Sequence, residues 1–174
     1  MISQVKTRLR EKRLSDANSD YNWQTDPELA ALDAVPPQSL NYADYLAHYT
    51  VELRHPSGLR QRFAIETLEG EYIGNCTYYA IDHKQGEAEL GIMIGNRDYW
   101  DKGYGTDAVT NLLQIIFQKT SLNRIYLKTL VTNTRAQKCF AKCGFTPCGH
   151  LKQGSYNFVL MELYRQQWLE KRNN

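Results

Sequence analysis

Hydrophobic and polar residues alternate near the start of the chain. Val5, Thr7 and Leu9 interleave with Lys6, Arg8 and Arg10, the period of two expected of a strand with one wet face. From Ser15 to about Val35 the spacing turns helical until Pro36-Pro37 breaks it. A helical pattern resumes from Ser39 to Leu53 and stops at the turn His55-Pro56-Ser57-Gly58. Arg62 to Glu66 and Tyr72 to Tyr79 are short β-rich runs joined by Glu69-Gly70 as a hairpin, and a third run, Ala88 to Ile94, follows Lys84-Gln85-Gly86. After a glycine-containing stretch, Ala108, Val109, Leu112, Leu113, Ile115 and Ile116 stand at helical spacing. Arg124 to Val131 reads as a buried strand, Asn133 to Cys143 as a helix ended by Gly144, and Phe145 to about Leu163 as two further strands. The order β-α-α-β-β-β-α-β-α-β-β predicts an α/β fold, a mixed sheet with helices on both faces.

At 174 residues the chain fits one domain spanning 1–174, large enough to bury a core without disulfides or a structural metal. Its composition, 42% hydrophobic and 23% charged, excludes disordered and fibrous classes. The opening MISQVKTRLREKR lacks the apolar centre of a signal peptide, and no window offers the ~20 apolar residues of a membrane span, so a cytoplasmic protein without a membrane partner is expected. The cysteines, Cys76, Cys139, Cys143 and Cys148, form no zinc-binding spacing even with His150 nearby. Cys139 and Cys143, at i and i+4, read as one packed helix face, and no metal is expected.

Charge is distributed unevenly. Leu14 to Leu53 holds no Lys or Arg against Asp16, Asp20, Asp26, Glu28, Asp33, Asp44 and Glu52. Ala108 to Met161 holds no acid against Lys119, Arg124, Lys128, Arg135, Lys138, Lys142 and Lys152. One half tolerates cations and the other anions. No nucleic-acid-binding motif accompanies the basic half, so a nucleic-acid partner is not expected.

The stretch Gly103-Tyr104-Gly105-Thr106-Asp107-Ala108 lies between a strand and a helix. Glycines there let the backbone approach an anion, which the free N–H groups of the first helical turn can then hold. A dinucleotide site calls for an acidic residue about 20 positions on, where this chain has none. A nucleoside-triphosphate loop ends in Gly-Lys-Ser/Thr, where this one has Gly-Thr-Asp. A diphosphate ligand of another kind is left.

From Glu89 through Phe145 the chain resembles the GNAT N-acetyltransferase superfamily, in particular its ribosomal-protein N-terminal acetyltransferase-like branch. Trp100-Asp101-Lys102-Gly103-Tyr104-Gly105-Thr106 stands where that branch carries its Trp-x-x-Gly-x-Gly pyrophosphate loop. Asn133-Thr134-Arg135-Ala136 and Lys142-Cys143-Gly144-Phe145 match its Asn-x-x-Ser/Ala and closing Lys-x-Gly-Phe. The resemblance implies a GNAT-like fold around a mixed, mostly antiparallel sheet, and acetyl-CoA as cosubstrate. It further implies that N–H groups from Lys102, Gly103, Tyr104, Gly105, Thr106 and Asp107 hold the CoA diphosphate, that Asn133 bonds the pantetheine arm, and that Ile92, Met93 and Ile94 line the thioester through their main chain. Arg135 and Lys138 suit the ribose phosphate.

Amide formation from a lysine-like amine of pKa about 10.4 costs roughly 4.6 kcal/mol for deprotonation at pH 7, against about 1 kcal/mol for an N-terminal amine. Release of a thiolate costs roughly 2 kcal/mol, so a base matters more than an acid. Glu89 is the first candidate for that base and Glu87, two residues earlier on the same strand face, the second. Where many members of the superfamily have a proton-donating tyrosine, this chain has Phe140; Tyr104 and Ser155 are substitutes to consider. The resemblance makes the first helices a wall of the acceptor site. Their acids, with Tyr21, Trp23, Tyr42, Tyr45 and Tyr49, suit an ammonium-bearing acceptor: a protein N-terminus, a polyamine, an aminoglycoside or an amino-acid derivative. The alternative function is a non-catalytic acyl-CoA sensor. Monomer and homodimer both remain open.

Overall fold

The computed structural model describes residues 5–173; residues 1–4, part of the N-terminal stretch read above as free of a signal peptide, lie outside it. The opening alternation becomes β1 (Thr7–Glu11), followed by a 3-10 turn (Leu14–Asp16), α1 (Ala17–Thr25), α2 (Pro27–Leu32) and α3 (Tyr42–Arg54). Then come β2 (Arg60–Thr67), β3 (Tyr72–Asp82), β4 (Glu87–Ile94), a second 3-10 turn (Arg97–Tyr99) and α4 (Tyr104–Lys119). The chain ends with β5 (Arg124–Leu130), α5 (Thr134–Cys143), β6 (Thr146–Gln153), β7 (Tyr156–Tyr164) and α6 (Arg165–Asn173).

The seven strands form one sheet in the order β1-β2-β3-β4-β5-β7-β6. Every neighbouring pair is antiparallel except β4–β5, the parallel pair that α4 connects as a crossover. Ala108, Val109, Leu112, Leu113, Ile116 and Phe117 form the buried stripe of α4, and they pack on Ile73, Leu90, Ile125 and Leu127 of the sheet. Helices α1 and α3 lie on the opposite face. On β3 the side chain of Asn75 meets Asp20 of α1 at 2.8 Å, whereas Cys76 and Tyr78 belong to the α4 core, and neighbouring strand residues point to opposite faces. A small second core of Ala17, Tyr45 and Tyr49 holds α1 and α3 together.

Three differences from the sequence reading have local causes. The helix expected from Ser15 to Val35 splits at Asp26, whose extended backbone and carboxylate cap α2 by accepting from the amides of Glu28 (3.0 Å) and Leu29 (3.2 Å), with Pro27 in the first turn. Helix α4 starts at Tyr104 rather than Ala108, because Gly103 adopts a left-handed conformation (φ 85°) that turns the chain straight into it. Helix α6 was not anticipated, since its sequence shows no strong apolar periodicity. It is anchored by Trp168, 8% exposed with its ring 5.2 Å from Phe117, and by Arg165, whose guanidinium donates to the carbonyls of Phe117, Thr120 and Leu122 at the end of α4.

Candidate active site

Strands β4 and β5 pair only through Glu87–Arg124, Ala88–Ile125 and Glu89–Tyr126. Beyond Glu89 they part: Leu90 to Ile94 stay with β3, and Leu127 to Leu130 stay with β7. The gap exposes the edge of β4, and a cavity of about 520 Å³ occupies it. Glu89, Ile92, Met93, Ile94, Gly103, Gly105, Thr106, Asn133, Arg135 and Lys138 all border this cavity.

The wide end of the wedge receives the N-termini of α4 and α5. Among the described residues the amides of Gly103, Tyr104, Gly105 and Thr106 have no hydrogen-bond partner; the first intrahelical bond is from the Asp107 amide to the Gly103 carbonyl, 3.0 Å. Such amides, with the helix dipole behind them, suit an anion. Asn133 caps α5 through its Oδ1, which accepts from the Ala136 amide at 3.1 Å, leaving its Nδ2 without a partner among the described residues. Trp100 braces the rim. Its Nε1 donates to the Ile94 carbonyl at 2.7 Å, and the Arg135 guanidinium stacks on its ring at 3.6 Å. Lys138 and Lys142 add positive charge to the lining, with Asp101 as the one acid at this end. The residues present therefore fit a diphosphate-bearing ligand.

At the narrow end Glu89 stands between Tyr79 on β3 and Tyr126 on β5, its two cross-strand neighbours on one sheet face. Burial, and then the Glu89 carboxylate, push the hydroxyl pKa of both tyrosines up. Leu29, Leu32 and Asp33 bring the end of α2 to the same cavity. A second cavity of about 280 Å³, lined by Arg124, Tyr126, Lys128, Cys148, Leu151 and Leu160, meets the first at Glu89 and Lys128.

Other expected site residues lie outside the main cavity. The Glu87 carboxylate is held by Arg124 at 2.7 Å. Lys102 turns its ammonium to the Asp98 carbonyl (2.7 Å), and Tyr104 packs edge-on against Tyr99. Asp107 serves β1: its Oδ2 accepts from the amides of Lys6 (3.1 Å) and Thr7 (2.8 Å) and from the Thr7 hydroxyl (2.6 Å). Phe140 is buried on the cavity wall, while Ser155 is exposed in the β6–β7 turn. Cys139 and Cys143 do share a helix face, turned toward Thr106 and Thr110 of α4.

The acidic wall takes a different form from the one expected. Asp16 pairs with Arg10 (2.8 Å), Asp20 with Lys12 (2.7 Å), Asp26 and Glu28 with Arg97 (2.9 and 2.5 Å), and Glu52 with Arg62. All these cations come from beyond the acidic stretch, so folding gives five of its seven acids a cationic partner, with Asp26 and Glu28 sharing Arg97. Tyr21, Tyr42, Tyr45 and Tyr49 stack between α1 and α3, and the Trp23 ring covers Gly95 so closely that an added Cβ would lie 2.0 Å from it. None of these aromatics borders the cavity. Of the acids expected to wall the acceptor site, Asp33 borders the cavity, and the residues that sequence reasoning missed there are Tyr79, Trp100 and Lys128. Trp100 lay within the quoted glycine-loop motif, whereas Tyr79 and Lys128 carried no signal of their own.

No helix among the described residues is long and apolar enough to cross a membrane. Residues 6–146 match the model of the acetyltransferase (GNAT) domain. The chain is 31% identical over 150 residues to the uncharacterized N-acetyltransferase p20 of Bacillus licheniformis, covering 83% of this chain and 81% of that protein. It is 24% identical over 106 residues to YdaF of Bacillus subtilis, provisionally named a ribosomal N-acetyltransferase, covering 58% and 57%. Among solved structures, spermidine N-acetyltransferase from Vibrio cholerae in complex with CoA and spermine superposes with a TM-score of 0.85 at 22% identity, covering 95% of this chain and 99% of that one. Aminoglycoside acetyltransferase AAC(6')-Ib in complex with coenzyme A gives 0.78 at 22% identity, again over 95% and 99%. With its glycine loop, its parted strands and this match over most of its length, the chain belongs to the GNAT family of N-acetyltransferases, enzymes whose cosubstrate is acetyl-CoA.

Proposed function

We propose that the chain transfers the acetyl group of acetyl-CoA directly onto a primary amine in a ternary complex, with Glu89 receiving the proton of the attacking nitrogen. The position of Glu89 carries this reading: it is the last β4 residue paired to β5 and the only acid of that strand facing the cavity, since Glu87 is held by Arg124. The amides from Gly103 to Thr106 would hold the diphosphate, Arg135 and Lys138 the ribose phosphate, the Asn133 side chain and the open edge of Ile92, Met93 and Ile94 the pantetheine arm. The acetyl carbonyl then lies toward Glu89. The amine nitrogen forms a bond to that carbonyl carbon, the carbon–sulfur bond breaks, and the thiolate of CoA leaves. With Phe140 on the wall, departure without a tyrosine donor from α5 is consistent with the roughly 2 kcal/mol that a thiolate costs at pH 7.

The acceptor class is a primary amine that is cationic at neutral pH: a protein N-terminus, a polyamine, an aminoglycoside or an amino-acid derivative. The solved relatives bound to spermine or acting on aminoglycosides support this class. A thiol-release assay across such amines tests it, with Glu89→Gln as the variant. The expected result is a kcat lowered roughly 10²-fold or more, with acetyl-CoA affinity unchanged. Full activity in Glu89→Gln removes Glu89 as the base. Binding of acetyl-CoA without thiol release on any amine would instead favour a sensor.

A further inference from the structure

Folding pairs five of the seven acids of the stretch with four cations, which isolates what remains. Asp16, Asp20, Asp26, Glu28 and Glu52 each have a cationic partner, and Asp44 bonds Asn41 within the cap of α3 at 2.8 Å. Asp33 differs from all of them. Its side chain makes no hydrogen bond or ion pair among the described residues, and it lines the same cavity as Glu89. Asp33 is exposed to water, and the neighbouring cleft walls still lift its pKa above the ordinary carboxylate value. Leu29, Leu32 and Tyr79 also line this part of the cavity and offer it an apolar surface. Lys128, another cation of the lining, turns its ammonium toward Gln153 Oε1 (3.5 Å) and the Phe158 ring (5.5 Å).

We propose that Asp33 selects the acceptor by holding a second ammonium group, so that the chain acetylates one end of an amine bearing two positive charges separated by an apolar spacer. The inference rests on acetyl transfer at Glu89, as proposed above, and gives Glu89 and Asp33 different roles. Glu89 takes the proton from the nitrogen that reacts. Asp33 stays ionised and sets the distance at which the non-reacting nitrogen is held; the methylenes between them lie along Leu32 and the Tyr79 ring. Because Asp33 touches no other side chain through a polar bond, its replacement leaves the fold intact.

The test compares 1,4-diaminobutane, 4-amino-1-butanol and 1-aminobutane, which share one reactive end, by thiol release from acetyl-CoA in wild type, Asp33→Asn and Asp33→Glu, with acetyl-CoA binding measured by calorimetry. In wild type the diamine is expected to have the highest kcat/KM. In Asp33→Asn that advantage falls roughly fivefold to tenfold, through KM, while kcat, rates on the two monoamines and acetyl-CoA affinity hold. Asp33→Glu recovers part of the preference. The proposal is overturned if wild type treats the three amines alike, or if Asp33→Asn keeps the diamine preference. No thiol release by wild type from any amine overturns acetyl transfer itself, a result distinct from lost discrimination.

Discussion

Asp20 offers the sharpest contrast between a residue that looks functional and one that holds the fold. It is 0% exposed, and its carboxylate accepts from Lys12 Nζ (2.7 Å), the Tyr72 hydroxyl (2.5 Å) and Asn75 Nδ2 (2.8 Å). The Lys12 side chain is only 4% exposed. Asp20→Asn keeps the shape but leaves a buried ammonium without its counter-ion, a change that typically costs ~3–5 kcal/mol. The Tyr72 hydroxyl and Asn75 Oδ1 remain as acceptors for Lys12, which sets the expectation near the lower end, about 3 kcal/mol. Lys12 can also escape the penalty by losing its proton, so the cost at pH 7 is capped at about 4.6 kcal/mol, the free energy of deprotonating an ordinary lysine there. For a chain of this size the melting temperature should fall by roughly 6–12 °C.

The pH dependence of that loss has a definite sign. Burial lowers the pKa of Lys12 in the folded state, against the opposing pull of Asp20. Between the lowered value and the unfolded value near 10.4, the unfolded chain binds the extra proton, and stability rises with pH. Asp20→Asn removes the opposing charge and lowers the folded pKa further. The deficit of the variant should therefore shrink as pH rises from neutrality toward the wild-type Lys12 pKa. Thermal melts at pH 7 and pH 9, paired with acceptor KM measured well below the melting temperature, check both statements. A variant that melts within about 2 °C of wild type while its acceptor KM rises would refute this reasoning and return Asp20 to the acceptor wall.

Beyond Glu89 and Asp33, two further outcomes are expected. Asp107→Ala leaves the Thr7 amide and hydroxyl, in a residue 2% exposed, without their acceptor; it should cost about 2–4 kcal/mol in a denaturant titration while acetyl-CoA affinity at low denaturant stays within about twofold. Arg135→Gln should weaken acetyl-CoA several-fold in calorimetry, by a margin that narrows as salt is raised, with little change in melting temperature, since Arg135 is stacked on Trp100 at the rim and is not part of the core.

The fold was largely legible because periodicity records burial directly. The strand runs, the apolar stripe from Ala108 to Ile116 and the Gly144 stop all reflect which side faces the core. Its misses came from weak or overlooked local signals: Asp26-Pro27 marks a helix start inside a longer helical pattern, and α6 depends on two anchors, Arg165 and Trp168, whose partners Thr120 and Phe117 lie far back along the chain. The glycine loop was legible for a similar reason. Backbone freedom at Gly103 and free amides beyond it are local properties, and the chain carries them wherever it goes.

What the sequence determined by itself was the order of elements, the buried faces and the loop able to hold a diphosphate. Only the tertiary structure decided which charges are left to act. An acid's neighbours in sequence say nothing of the cation that folding brings to it from β1, β2 or the loop after β4, so seven acids looked equivalent until the sheet closed. Three-dimensional pairing then gave five of them a cationic partner, occupied Asp44 in a cap, and left Asp33 unpaired on the cavity that Glu89 also borders.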